Sequence, residues 1–220
     1  AYLHRGSHIE RQIETNNFGN FRIDIFSDMP YGEKNISPRK NMEDILEGVE
    51  TFMDTFKEPN DMNLLFYGAT GLGKTFLSHA VAAEIMARGA SVVYETAFGM
   101  IRICEDKVFN KSGEQEAEMA YDSLFKADLL IIDDLGTEMV NSFTNAQFFN
   151  ILNTRLIEGK KTIISTNLSP REISSVYGDR VFSRVFDKFV PMEFIGEDLR
   201  WEVNTPVSYT HLTLPTKRIV

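Results

Sequence analysis

Gly68-Ala69-Thr70-Gly71-Leu72-Gly73-Lys74-Thr75 fits the pattern G-x-x-x-x-G-K-[ST], and the rest of the chain arranges itself around that loop. Glycines accept backbone angles that bring successive N–H groups onto one phosphate. Lys74 then reaches the outer phosphates, and the Thr75 hydroxyl is a ligand for Mg²⁺. At average residue usage, a chance match in a chain of this size is on the order of one in a hundred. The flanks tighten the reading. Asn63-Leu64-Leu65-Phe66-Tyr67 is a short apolar run with the character of a buried strand. Phe76 to Arg88 places Leu77, Val81, Ile85 and Met86 at helical spacing, with Gly89 as the stop. Strand, glycine loop and helix together aim a helix N-terminus at an anion. The expected phosphate-binding set is Gly68, Ala69, Thr70, Gly71, Leu72, Gly73, Lys74, Thr75 and Phe76.

Moving outward, helices and strands alternate. Ser37-Pro38 reads as an N-cap with proline in the first turn, opening a helix to about Phe56 with Ile45, Val49, Phe52 and Phe56 on its apolar stripe. Ser91 to Glu95 is a second strand, and Phe98 to Asn110 and Glu114 to Phe125 are helical. Ala127 to Asp133 is a third strand, almost wholly apolar, as expected when helices cover both faces. Phe143 to Glu158 is a helix and Lys161 to Thr166 the fourth strand. Ser169-Pro170 caps a short helix ending near Gly178, a second short helix spans Arg180 to Phe186, and Val190 to Ile195 is the fifth strand. This alternation predicts an α/β fold with a mainly parallel sheet.

Leu129-Leu130-Ile131-Ile132-Asp133-Asp134 ends an apolar strand in two carboxylates. Buried carboxylates are costly unless paired or bound to metal, and the carboxyl edge of a parallel sheet is where ligands bind. Asp133 is therefore expected to hold Mg²⁺, mostly through water, and Asp134 to polarise the attacking water. Asn167, just after the fourth strand, supplies an amide that can contact a terminal phosphate or orient water.

Composition excludes several classes. The chain has 220 residues, 43% hydrophobic and 25% charged, which describes an ordinary globular protein with room for one domain and appendages. No apolar run approaches the roughly 18 residues needed to cross a membrane. The single cysteine, Cys104, rules out a disulfide framework within the chain and fits a reducing cytoplasm; it lies in an apolar helical pattern and reads as a buried thiol. A net charge of −9 argues against coating nucleic acid by bulk electrostatics, leaving Arg102, Lys107, Lys111 and Lys126 as candidates for a local basic track.

The phosphate loop, Ile131 to Glu138 (I-I-D-D-L-G-T-E), Ser165 to Pro170 (S-T-N-L-S-P) and Gly178 to Arg184 (G-D-R-V-F-S-R) together resemble the AAA+ ATPase domain of bacterial helicase loaders, the DnaC/DnaI-like group. IstB-like transposition helpers are near relatives of that group. The resemblance covers about Asn17 to Trp201 and implies five parallel strands in the order 5-1-4-3-2. It also implies ATP hydrolysis with Mg²⁺ in a homo-oligomer that loads a replicative DNA helicase onto single-stranded DNA. Asp133 and Asp134 match the family's Walker B pair and Asn167 its sensor 1. Arg184, with Arg180 as second choice, matches the arginine finger that enters a neighbouring subunit's site, and Arg200 matches sensor 2. Many AAA+ proteins carry glutamate where Asp134 stands; the shorter side chain implies slow, switch-like hydrolysis. The group's N-terminal partner-binding region has no counterpart here, so helicase binding is expected of the parent protein. A transposition helper shares all of these parts. A nucleotide-gated binding module with negligible turnover is a further alternative, whereas a metabolic kinase needs an acceptor site and a phosphate-closing lid, for which the sequence offers no candidate.

The expected organisation is a lead-in over residues 1–36, an ATP-binding domain over 37–205 and a tail over 206–220. Val207 to Thr216 (V-S-Y-T-H-L-T-L-P-T) resembles the translation of a sequencing-library adapter, and the chain starts at Ala1 without an initiator methionine. Residues from about Pro206 are accordingly expected to be foreign to the fold.

Overall fold

The computed structural model describes residues 12–60, 62–109 and 114–200. Lys111 and the tail from Pro206 lie outside the described residues. Helix α1 (Pro38–Asp54) starts where Ser37 caps it, its side chain accepting from the Lys40 amide. Strand β1 (Asn63–Gly68) leads into the glycine loop, and α2 (Lys74–Ala87) leaves it. Then follow β2 (Val92–Thr96), α3 (Ala97–Phe109), α4 (Glu114–Lys126), β3 (Leu129–Leu135), α5 (Ser142–Ile157), β4 (Lys161–Thr166), α6 (Pro170–Lys188) and β5 (Phe189–Phe194). A Ser169–Glu172 capping box opens α6, and Gly178, with φ 76° and ψ 169°, breaks it into the two limbs expected from the sequence.

The strands form one five-stranded sheet in the order β2-β3-β4-β1-β5, every pair parallel. This is the expected order. Strand side chains alternate between two apolar layers. Leu64, Phe66, Leu129, Ile131 and Ile163 pack with α1 and α2, together with Phe26 of the N-terminal segment. Leu65, Leu130, Ile132 and Ile164 pack with α3, α4, α5 and α6 on the other face. Within that second layer Cys104 is fully buried, and burial pushes its thiol pKa up to about 12. No described helix is long and apolar enough to cross a membrane.

Two boundaries differ from expectation in ways that matter for the site. Helix α2 begins at Lys74, two residues before Phe76, because Gly73 at φ 95° already serves as its N-cap. Strand β3 runs on through Asp134 to Leu135 and ends only at Gly136, φ 102°. The continued pairing of Leu135 with Thr166 carries both carboxylates inside the strand.

Candidate active site

The glycine loop closes around the start of α2. Gly68, Gly71 and Gly73 all have positive φ, the region in which a side chain is strained. Lys74 is buried, and its ammonium donates to the Gly68 and Ala69 carbonyls at 2.7 and 2.6 Å. Burial lowers its pKa to about 8, partly opposed by the charges of Asp134 and Asp133, with Arg200 lowering it further. The Phe76 ring packs against Phe21 of the N-terminal segment, tilted 55° with centroids 5.9 Å apart, and so holds that segment beside the loop. A cleft of about 210 Å³ opens there between Met29, Tyr31, Leu72 and Gly196.

At the carboxyl end of β3, Asp133 is buried and surrounded by hydroxyls. Its Oδ1 accepts from Thr75 Oγ1 at 3.3 Å and from the Ser165 hydroxyl, and its Oδ2 accepts from Tyr94 at 2.7 Å. A threonine hydroxyl and a carboxylate side by side are hard oxygen donors, the set that suits magnesium with water and phosphate completing the shell. The residues present therefore fit that ion. Asp134 is half-buried with φ 54°, and its carboxyl accepts no hydrogen bond among the described residues. Burial and the neighbouring Asp133 raise its pKa, opposed by Lys74. Lys74, Thr75, Asp133 and Asp134 are thus brought together.

The other expected residues sit apart. Asn167 is exposed just past the end of β4. Arg184 is half-buried on the second limb of α6, donating to Asn153 Oδ1 at 3.2 Å with its guanidinium 5.3 Å from the Phe149 ring centre. Arg180 is exposed on the same limb and forms no ion pair among the described residues. Arg200 grips Asp198, with Nη2 to Oδ2 at 2.6 Å and Nε to Oδ1 at 2.9 Å. Asp198 in turn lies against the loop: a side chain at Gly71 would meet its carboxylate at 1.9 Å, and the Leu199 amide donates to the Gly71 carbonyl at 3.1 Å. Of the basic-track candidates, Lys107 pairs with Glu118 and Lys126 with Asp122, while Arg102 is exposed.

Four residues at the site carried no role in the sequence reading: Tyr94, Ser165, Glu138 and Asp198. Buried polar side chains need partners, so a tyrosine and a serine within predicted buried strands were the available signal. Glu138 is buried, accepts from the Gly136 amide at 3.0 Å and from the Tyr177 hydroxyl, and so ties the turn after β3 to α6.

Known proteins share this architecture. The chain is 29% identical over 126 residues to the replicative helicase loader DnaC of Escherichia coli strain K12, covering 57% of this chain and 51% of that protein. It therefore spans about half the length of these curated helicase-loader relatives. The crystal structure of the DnaC helicase loader superposes with a TM-score of 0.64 at 19% identity, covering 84% of this chain and 99% of the other. The replication initiator DnaA bound to AMPPCP and single-stranded DNA superposes with a TM-score of 0.62 at 22% identity, covering 77% and 49%. These likenesses agree with an AAA+-type phosphate-loop fold. The family model of the IstB-like ATP binding proteins matches residues 38–191, from the start of α1 into β5 with the loop and both carboxylates between, and the chain belongs to that family.

Proposed function

We propose that this domain binds ATP with magnesium, hydrolyses it slowly, and serves as the nucleotide switch of a bacterial helicase loader. The observation that carries the reading is the Asp134 carboxyl: half-buried, raised in pKa, free of protein donors among the described residues, and acting on the charge of Lys74. A carboxylate so placed is suited to polarise water. Lys74 would exchange its two loop carbonyls for phosphate oxygens, and the loop amides at the start of α2 would hold the remaining charge. Thr75 and Asp133 would hold the metal, which when bound offsets charge on the phosphate oxygens. Asn167, just past the end of the neighbouring strand β4, would help orient the water. The cleft beside Leu72 has the size and the apolar walls to take the base.

The arginines belong to assembly. Arg180 and Arg184 lie on the second limb of α6, and a homo-oligomer would bring one of them to a neighbour's site in trans, with Arg184 the first choice. Arg200, at the rim of its own loop, would turn from Asp198 to phosphate. The likeness to DnaC supports a replicative helicase as partner, and the DnaA complex supports single-stranded DNA as the ligand of the assembly. The family match leaves a second reading, a transposition helper with the same chemistry that acts with a transposition protein in place of a helicase. Pull-down of each partner separates the two.

Asp134→Asn tests the chemistry. Nucleotide affinity should stay within about twofold while turnover falls by on the order of 10²- to 10⁴-fold, the span of a lost general base. Parental turnover in Asp134→Asn would remove the carboxylate from the mechanism. Turnover of the unaltered chain should also rise more than linearly with protein concentration.

A further inference from the structure

Between Ile132 opposite Ile164 and Leu135 opposite Thr166, strand β3 contains Asp133 and Asp134 where β4 contains only Ser165. Two residues facing one make a β-bulge, and bulges re-aim the side chains they carry. Strict alternation would send Asp134 to the face opposite Asp133. The bulge instead places Asp134 at φ 54°, a conformation that a non-glycine residue keeps only when its surroundings hold it.

One hydroxyl supplies that hold. The Asp134 amide donates to Ser165 Oγ at 3.1 Å, and the Ser165 hydroxyl donates to Asp133 Oδ1. A serine hydroxyl has one proton to give and lone pairs to receive, so both bonds form at once. Ser165 is 0% exposed, so solvent cannot take over either bond. Thr75 and Tyr94 also donate to Asp133, but among the described residues only Ser165 joins Asp133 to Asp134. On the far side of the bulge the Thr166 hydroxyl donates to the Leu135 carbonyl at 2.7 Å and closes the ladder again.

We infer that Ser165 is a positioning residue that clasps the bulge and sets the separation and aim of the two carboxylates, an inference that rests on the proposed roles of Asp133 and Asp134. It is fully buried and acts through its bonds to Asp133 and Asp134. Its loss frees Asp134 from the left-handed conformation and leaves Asp133 with one donor fewer.

The test uses Ser165→Ala and Ser165→Cys in the full chain, with Asp134→Asn alongside. In nucleotide-free protein, amide hydrogen exchange at Asp134, read by NMR, should quicken at least about tenfold in Ser165→Ala, since the amide loses its buried acceptor. Turnover should fall about 10- to 100-fold, the usual cost of removing a residue that orients a metal ligand. The magnesium concentration giving half-maximal rate should rise, and ATP affinity measured without magnesium should stay within about twofold. Ser165→Cys, which leaves no cavity and keeps a weaker hydrogen-bonding group on a slightly larger atom, should fall between parent and Ala on every readout and carries the test if Ala does not fold. Parental exchange at Asp134 in either folded variant overturns the clasp. Parental turnover and magnesium dependence overturn it too, provided Asp134→Asn is inactive. An active Asp134→Asn instead defeats the hydrolytic reading, and the exchange measurement then still decides whether Ser165 holds the bulge.

Discussion

At the amino end of the sheet the fully buried guanidinium of Arg155 donates to the carbonyls of Leu124 at 2.8 Å, Phe125 at 3.2 Å and Lys161 at 2.6 Å, and to the Thr162 hydroxyl at 3.1 Å. At the carboxyl end the buried ammonium of Lys74 donates only to two carbonyls of its own loop, as far as the described residues show. The carboxylates differ in the same way. Asp128, at the amino end, accepts from the amide and hydroxyl of Ser91 and from Lys160. Asp134, at the other end, accepts from no described residue and sits in a strained conformation. Buried charge that is saturated by fixed partners is cement; buried charge with replaceable partners is a site. The two ends share residue types and differ in how completely the fold satisfies them.

Substitution at the two cations should separate these roles most sharply. Arg155→Ala strands three backbone carbonyls and opens a cavity, which should cost about 3 kcal/mol or more and lower the thermal midpoint by about 6–12 °C. Nucleotide affinity of the folded remainder should change less than about twofold. A midpoint within a degree or two of parental would show that the carbonyls find other partners, and the contrast between the ends would collapse.

Lys74→Ala should do the reverse. Losing a charge-assisted contact to phosphate weakens ATP binding about 10- to 100-fold in calorimetry, while the thermal midpoint moves by less than about 2 °C. Parental affinity would remove Lys74 from phosphate recognition.

The smallest effect is one of pH. In the free domain burial disfavours the charge of Lys74 and lowers its pKa to about 8. Phosphate favours the charged amine, so its pKa must rise on binding. Binding near that pH should then take up a proton, and affinity should be level below it and fall as pH rises above it, by up to about tenfold per unit. Calorimetry in buffers of different ionisation heat reads the uptake directly. Proton release, or none, would mean that another group governs binding; Lys74→Ala should abolish the uptake.

Much of this was legible in the chain itself, for local reasons. Glycines at loop positions, a lysine and threonine at fixed spacing and an apolar run ending in two aspartates are short-range patterns, and each matched its place in the fold. The alternation of strands and helices gave a parallel sheet because buried strands read as continuous apolar runs. Even the break in α6 was readable, since Gly178 interrupts a helical pattern at one residue.

The strand register was not legible. Whether two residues of β3 face one of β4 depends on pairing between segments some thirty residues apart, as in the 31-residue separation of Asp134 and Ser165. No local propensity reports that slip, so β3 was expected to stop at Asp133 while it continues to Leu135. For the same reason Ser165 was read as part of a motif whose functional member was Asn167. Its grip on Asp133 and Asp134 exists only once β3 and β4 are side by side. The partners of Arg155 and the contact of Asp198 with Gly71 are equally products of the assembled fold. By itself the sequence determined which chemical groups the domain has and roughly which end of the sheet they reach. Tertiary structure alone decided which of those groups are saturated and which stay free to act, because saturation depends on distances between residues far apart in the chain.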